Sequence, residues 1–171
     1  MYTREEILAY RCPRWDDWPK LDLYMDQVVN LIEESVRLFY AGGQPNPVTS
    51  TMINNYVKRK IVPPSRKKKY GRDHMAYFYA VFLLKSALSL LDISDAIAFF
   101  DSGKLTSDTY DLFCDEIEAS LSTAFGGAAQ GGTAAFEGFG IMRSFSLAFA
   151  YTLLARLQIG PQSAAHSKTG E

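Results

Sequence analysis

The sequence predicts an all-α fold, and three observations carry the prediction. From Leu21 onward, Leu21, Met25, Val28, Ile32, Val36 and Phe39 recur at helical spacing, while Asp22, Asp26, Asn30, Glu33 and Arg37 fall on other faces. Glycine and proline pairs punctuate the chain between such segments, at Gly42-Gly43, Pro63-Pro64, Gly126-Gly127 and Gly160-Pro161. No run of useful length alternates apolar and polar residues with the period of two that marks a half-buried strand, although a tiny hairpin is compatible with the pattern.

Residues 1–20 read as an irregular N-terminal segment, with a short helix at Arg4 to Tyr10 and then RCPRWDDWPK packed through its aromatics. The helix from Leu21 ends at Gly42-Gly43, and Gln44-Pro45-Asn46-Pro47 cannot continue it, because proline lacks the amide proton that a helix interior uses. Thr49 and Ser50 are N-cap candidates for a short helix to about Arg59, and Pro63-Pro64 stops any continuation. Helical spacing resumes from Asp73 to Leu91. There Tyr77, Phe78, Tyr79 and Phe82 read as core, and Lys85 as a lysine whose stem lies along that core.

Asp92 caps a further helix that ends at Gly103, and Thr106 or Ser107 opens the next, stopped by Gly126-Gly127. GGAAQGGTA is a loop. The last helix, about Phe136 to Ile159, is apolar almost all round, so it belongs in a core or in a subunit interface, and Gly160-Pro161 ends it. Residues 160–171 are polar and small, as in a disordered tail.

A chain of 171 residues suits one large domain or two small ones packed together, and 47% hydrophobic with 22% charged residues is a globular composition. The start, MYTREEILAYRCPRW, is charged and lacks the apolar segment of a signal peptide. The richest apolar stretch, Ser144 to Leu157, falls short of the roughly 20 residues a spanning helix requires. The expectation is a cytoplasmic protein with no membrane partner. Cys12 and Cys114 belong to no CxxC pair and read as ordinary thiols.

Charge is unevenly distributed. Lys58, Arg59, Lys60, Arg66, Lys67, Lys68, Lys69 and Arg72 are eight of the eighteen basic residues, and no acid stands among them. From Ser86 onward ten acids face only Lys104, Arg143, Arg156 and Lys168. Concentrated positive charge attracts a polyanion by counterion release, the term that dominates nucleic-acid affinity. A solvated basic loop is the plainer reading of charge alone. The preceding helix favours the former: Met52, Ile53, Tyr56, Val57 and Ile61 share one face, and Thr51, Asn54, Asn55, Lys58 and Arg59 the opposite one. Asparagine pairs bidentately with adenine, and lysine or arginine reaches guanine edges and phosphates.

At these residues the segment TSTMINNYVKRKIVPPSRKKKYGRDHMAYFYAVFLLKSALSLLDISDAI resembles the winged helix-turn-helix of mercury-resistance-type (MerR) regulators. The resemblance lies in Asn55-Tyr56, Ile61-Val62-Pro63-Pro64, the basic run Arg66 to Tyr70, Arg72-Asp73-His74 and Leu88 to Ile93. It implies that Thr51 and Asn54 sit where that family contacts bases or phosphates, that Tyr56 approaches the DNA backbone, and that Arg66, Lys67, Lys68 and Lys69 form a basic wing. Asn54 stands where arginine is usual, and no long heptad helix follows Phe100, so the family's mode of dimerisation does not carry over. About the first hundred residues, including YRCPRWDDWPKLDLYMDQV, more closely resemble a bacterial domain-of-unknown-function family predicted to carry such a helix-turn-helix. The expected organisation is a helix-turn-helix domain over 21–103 and a C-terminal helical region over 104–159, a candidate for dimerisation.

No catalytic constellation emerges, and an enzyme is not expected. SGKLTS lacks the earlier glycine and the hydroxyl residue of a phosphate loop, since Ala98 and Leu105 hold those positions. Asp108, Asp111, Asp115 and Glu118 share a helix face but have no Glu-x-x-His partner, so they read as a solvated acidic face rather than a metal site. His74 beside Asp73 reads as a helix N-terminal residue. No cofactor is implied. The expected function is DNA-binding transcriptional regulation by a homodimer, with residues 50–59 in the major groove of double-stranded DNA and residues 65–72 on phosphates. The alternative is a helical protein–protein interaction module that does not touch DNA.

Overall fold

The run Tyr77 to Leu84 has no polar face to turn toward water, so the helix that holds it must be enclosed by others. The computed structural model describes residues 2–40, 48–100, 105–126 and 137–166, and it shows that arrangement. Among the described residues there are seven α-helices and no β-strand: α1 (Arg4–Ala9), α2 (Met25–Val36), α3 (Ser50–Lys58), α4 (Arg72–Leu84), α5 (Leu90–Phe100), α6 (Ser107–Gly126) and α7 (Glu137–His166). The all-α expectation holds. The Gly42-Gly43 stop with its prolines, the helix end at Gly103, most of the GGAAQGG loop and residues 167–171 of the tail lie outside the described residues. No described helix is long and apolar enough to cross a membrane.

Helix α4 is the centre. Ten of its 13 residues are buried, from His74 to Leu84 with Ala80 the exception. Helix α2 lies along it, burying Val28, Ile32 and Val36. Helix α3 packs on α2 and sets Tyr56 edge-on to Phe82, with ring centroids 5.2 Å apart. Helices α5 and α7 also border α4, and α6 pairs with α7 along the most extensive contact in the fold. The buried side chains form one cluster running from Tyr2 to Leu153.

The N-terminal segment is part of this body. Helix α1 starts with a capping box, in which Thr3 Oγ1 accepts the Glu6 amide and Glu6 accepts the Thr3 amide, and it packs on α6. The Tyr2 hydroxyl donates to the Leu153 carbonyl at 2.6 Å. The acids of α6 do not form a merely solvated face, which corrects the sequence reading. Asp111 accepts the Trp15 amide at 2.8 Å, Glu118 accepts the Cys12 amide at 2.8 Å, and Asp115 and Glu118 hold Arg14 at 2.7 and 3.1 Å. An extended, proline-bearing segment has amides that no helix satisfies, and side-chain carboxylates supply the acceptors. Tyr110 completes the seat, donating to the Pro13 carbonyl at 2.8 Å and accepting from Trp18 Nε1 at 3.0 Å. Of the four acids in that pattern, Asp108 stays exposed without such a role.

Three boundaries differ from expectation. Helix α2 begins at Met25 rather than Leu21: Leu21 is 80% exposed, and Leu23 instead pairs with Tyr70. Helix α4 stops at Leu84 rather than Leu91, because Ser89 caps α5. Its hydroxyl accepts the Asp92 amide at 3.2 Å and donates to the Asp92 carboxylate at 2.6 Å, so Asp92 is the third residue of a capping arrangement and not the cap. Helix α7 runs past Gly160-Pro161 to His166. Proline removes one helical hydrogen bond but its fixed φ is itself helical, so the pair weakens the helix without ending it.

Lys85 follows α4, with its Nζ 4.3 Å from the Phe82 ring centroid and 3.5 Å from Met52 Sδ. Burial pushes its ammonium down to about 8 from an ordinary 10.5. Between those values the unfolded chain binds the proton and the folded one does not, so stability rises with pH across that window and is lost as pH falls through 8. Chemical denaturation of the wild type against Lys85→Met from pH 7 to 10.5 should show this component of the rise in the wild type only; parallel curves would remove it.

Candidate nucleic-acid interface

Helix α3 is set by its two ends. Thr49 is the N-cap, its Oγ1 accepting the Met52 amide at 3.2 Å. At the far end the Ile61 amide donates to the Tyr56 carbonyl at 3.0 Å and the Lys60 amide to the Val57 carbonyl at 3.0 Å, a Schellman motif with Lys60 in the left-handed position at φ 60. The helix therefore ends before Pro63-Pro64, by its own hydrogen bonding rather than by the prolines. Ile53, Tyr56 and Ile61 are buried against the core, which turns Thr51, Asn54, Asn55, Lys58 and Arg59 to solvent, and all five are exposed.

Tyr56 is the exception among the expected contact residues. It is 3% exposed and packed on Phe82, so it does not reach a DNA backbone. Its place on the apolar face of α3 decides this, since one side chain cannot serve both faces of a helix.

The basic run folds into a minimal hairpin. Arg66 and Lys69 exchange amide-to-carbonyl hydrogen bonds at 2.8 and 3.0 Å, with Lys67 and Lys68 forming the turn at φ 51 and 62. Two consecutive positive φ values define the turn type that matches strand twist and that Asn-Gly ordinarily fills. Leu23 and Tyr70 bond reciprocally at 2.8 and 2.9 Å and tie the hairpin to the start of α2. Gly71, the N-cap of α4, lets the chain pass between two carboxylates: a Cβ there would lie 2.9 Å from Asp22 Oδ1 and 3.0 Å from Asp73 Oδ1.

His74 locks the base of the hairpin. The ring is fully buried, its Nδ1 accepts the Gly71 amide at 3.0 Å, and its Nε2 lies 3.1 Å from the Pro64 carbonyl. Nδ1 also lies 3.1 Å from Asp73 Oδ1, so the ring joins the Gly71 amide, the Asp73 carboxylate and the Pro64 carbonyl. The sequence reading of His74 as a helix N-terminal residue agrees with this capping role.

The eight basic residues are not equally available. Arg66 pairs with Asp73 at 2.5 Å, and Arg72 spends Nη1 on Asp16 at 2.8 Å while its Nε and Nη2 are buried. Lys69 is half-buried and its Nζ lies 4.7 Å from the Tyr24 ring centroid. Lys58, Arg59, Lys60, Lys67 and Lys68 remain exposed. Lys60 belongs to the basic run but lies between the stretches 50–59 and 65–72 expected to meet DNA; its signal is its position just after the end of α3, where the chain must turn. Among the described residues no group of three or more His, Cys, Asp or Glu is placed to hold a metal ion.

An all-helical domain that presents a polar, basic helix face beside a lysine-tipped hairpin is the class these features define. Within it, the chain belongs to the DUF1836 family, whose model, a domain of unknown function, matches residues 13–121. The match covers α2 to α5 and most of α6, and leaves out α1 and α7. No curated protein and no solved structure matches the chain.

Lysine in a left-handed conformation costs roughly 1–2 kcal/mol, which glycine avoids. Lys60→Gly and Lys68→Gly should each raise the unfolding free energy by about 0.5–1 kcal/mol, read as a higher denaturant midpoint at constant slope. A drop for both would show that the side chains stabilise the fold.

Proposed function

We propose that this protein is a sequence-specific DNA-binding regulator of transcription with a MerR-like winged helix-turn-helix. Helices α2 and α3 are the helix pair, α3 enters the major groove, and the Arg66–Lys69 hairpin is the wing on flanking phosphates. The observation that carries the reading is backbone strain. Among the described residues three non-glycine residues have positive φ, and all three are lysines of the acid-free run: Lys60, Lys67 and Lys68. Glycine or asparagine would fold more cheaply at each position. Charge retained at a cost to stability points to a partner that reads the charge.

Two further features support it. Phe82, the level of Tyr56, stands ten residues along α4 from Arg72, the first residue of that helix and three beyond the hairpin, about 15 Å at the helical rise. The major groove is about 12 Å wide, so a helix seated in it would leave the wing over its edge. The outward stripe of α7, Ile141, Ser144, Ala148, Tyr151, Ala155 and Gln158, is exposed and uncharged, and supplies the contact for a homodimer.

Fluorescence anisotropy on random duplexes over a salt series, followed by sequencing of the retained duplexes, tests the reading. The five exposed cations of the run other than Arg66, which is paired with Asp73, give a log–log slope of about −4.5 per protomer. Lys67→Ala with Lys68→Ala should weaken binding to every sequence and flatten the slope by about 2. Asn54→Ala or Asn55→Ala should cost about 1–3 kcal/mol on the preferred site and relax the preference there. A shallow slope with no enriched motif at about 150 mM salt would sink the proposal and turn attention to an acidic protein partner.

A further inference from the structure

Four helices meet around a cleft that no role above employs. It encloses about 80 Å³ and opens to the surface, between α4, α5, α6 and α7. The space exists because α4 and α5 present small residues to one another: Ala76, Ala80 and Ala96 leave the room that larger side chains would fill. No charged residue lines it, and its wall is almost wholly carbon.

Two of the three hydroxyls at the wall are already committed. Tyr110 donates to the Pro13 carbonyl and accepts from Trp18, and Thr109 Oγ1 pairs with Thr106 Oγ1 at 3.0 Å. An ordered water needs two to four polar partners, so the cleft suits an apolar occupant better than water; apolar cavities of a comparable order stay dry and take up benzene. Four of the lining side chains are aromatic, Tyr77, Tyr110, Phe113 and Phe145, and they come from three helices. Rings favour edge-to-face or offset contact with another ring over contact with an alkane of equal size.

We propose that the cleft between α4, α5, α6 and α7 binds a small uncharged aromatic molecule, its ring enclosed and any substituent at the mouth. Ile97 of α5 also lines a second cavity, on the side of Val57, Lys58 and Pro63. An occupied cleft thus bears on α5, and through Ile97 on the segment that follows α3. Binding itself stands apart from the DNA reading, and its test uses no nucleic acid.

The test is a titration of the full chain, methyl-labelled at isoleucine and methionine, with toluene as the probe. Saturable shifts are expected at Ile93, Ile97 and Met142, and none at Ile32 or Ile53, which are buried elsewhere in the core. Ala96→Leu and Ala80→Leu each fill the space, and either should weaken toluene binding about tenfold or more while the other methyl signals keep their dispersion. Methylcyclohexane should bind several-fold more weakly than toluene. The proposal is overturned if the wild type shows no saturable shift up to the solubility of toluene. It is equally overturned if Ile32 and Ile53 move together with the cleft methyls, or if a folded filled variant binds toluene as the wild type does. Equal binding of methylcyclohexane removes the aromatic class.

Discussion

Helix α4 sets the conditions for everything around it, because a helix buried on every side must satisfy its polar ends from within the protein. Its N-terminus meets that need through the buried His74 ring, which takes the Gly71 amide on one nitrogen and faces the Pro64 carbonyl with the other. One side chain thereby ties the start of α4 to the connection that leaves α3. The hairpin hangs between these two fixed points, and its outer edge is held by the Leu23–Tyr70 pair. Once Ile53 and Tyr56 are committed to the core beside Phe82, the residues three and four positions away have only solvent to face. The polar stripe of α3 follows from the burial of α4.

The same fold sorts charge by geometry. Asp111, Asp115 and Glu118 of α6 are spent on backbone amides and on Arg14, and Asp16 and Asp73 neutralise the two arginines at the base of the hairpin. Arginine suits that work, since its planar fork binds carboxylates while its stem packs. Lysines are left at the turn and the helix end, where the backbone must adopt a left-handed conformation. A sequence selected for stability alone would place glycine or asparagine there. The strain and the free charge coincide, which is the pattern expected where function and folding compete for the same positions.

Much of this was legible in the sequence, and the failures have identifiable causes. The helical period from Met25, the apolar run of α4 and the opposed faces of α3 could be read directly, because each is a local pattern. The break after Leu84 was also written locally, in Ser89-Leu90-Leu91-Asp92, but the apolar spacing across it concealed the cap. Tyr56 was assigned to DNA by resemblance although its spacing already placed it with Ile53, and packing followed the spacing. The duty of Asp111 and Glu118 was not legible: their partners, the amides of Trp15 and Cys12, lie about a hundred residues away, and no period relates them. The left-handed lysines were equally hidden, since lysine is not a residue type that announces such a turn.

The seating of residues 12–15 on α6 also orders events during synthesis. Residues 12–15 are synthesised before α6, and the carboxylates that hold them come about a hundred residues later. At translation rates of about 5–20 residues per second, Cys12 and Trp15 wait roughly 5–20 s with their amides in water. Trp15 and Trp18 are exposed over the same interval. Contacts of such sequence separation slow folding. The segment can close onto the body only when α6 has been made.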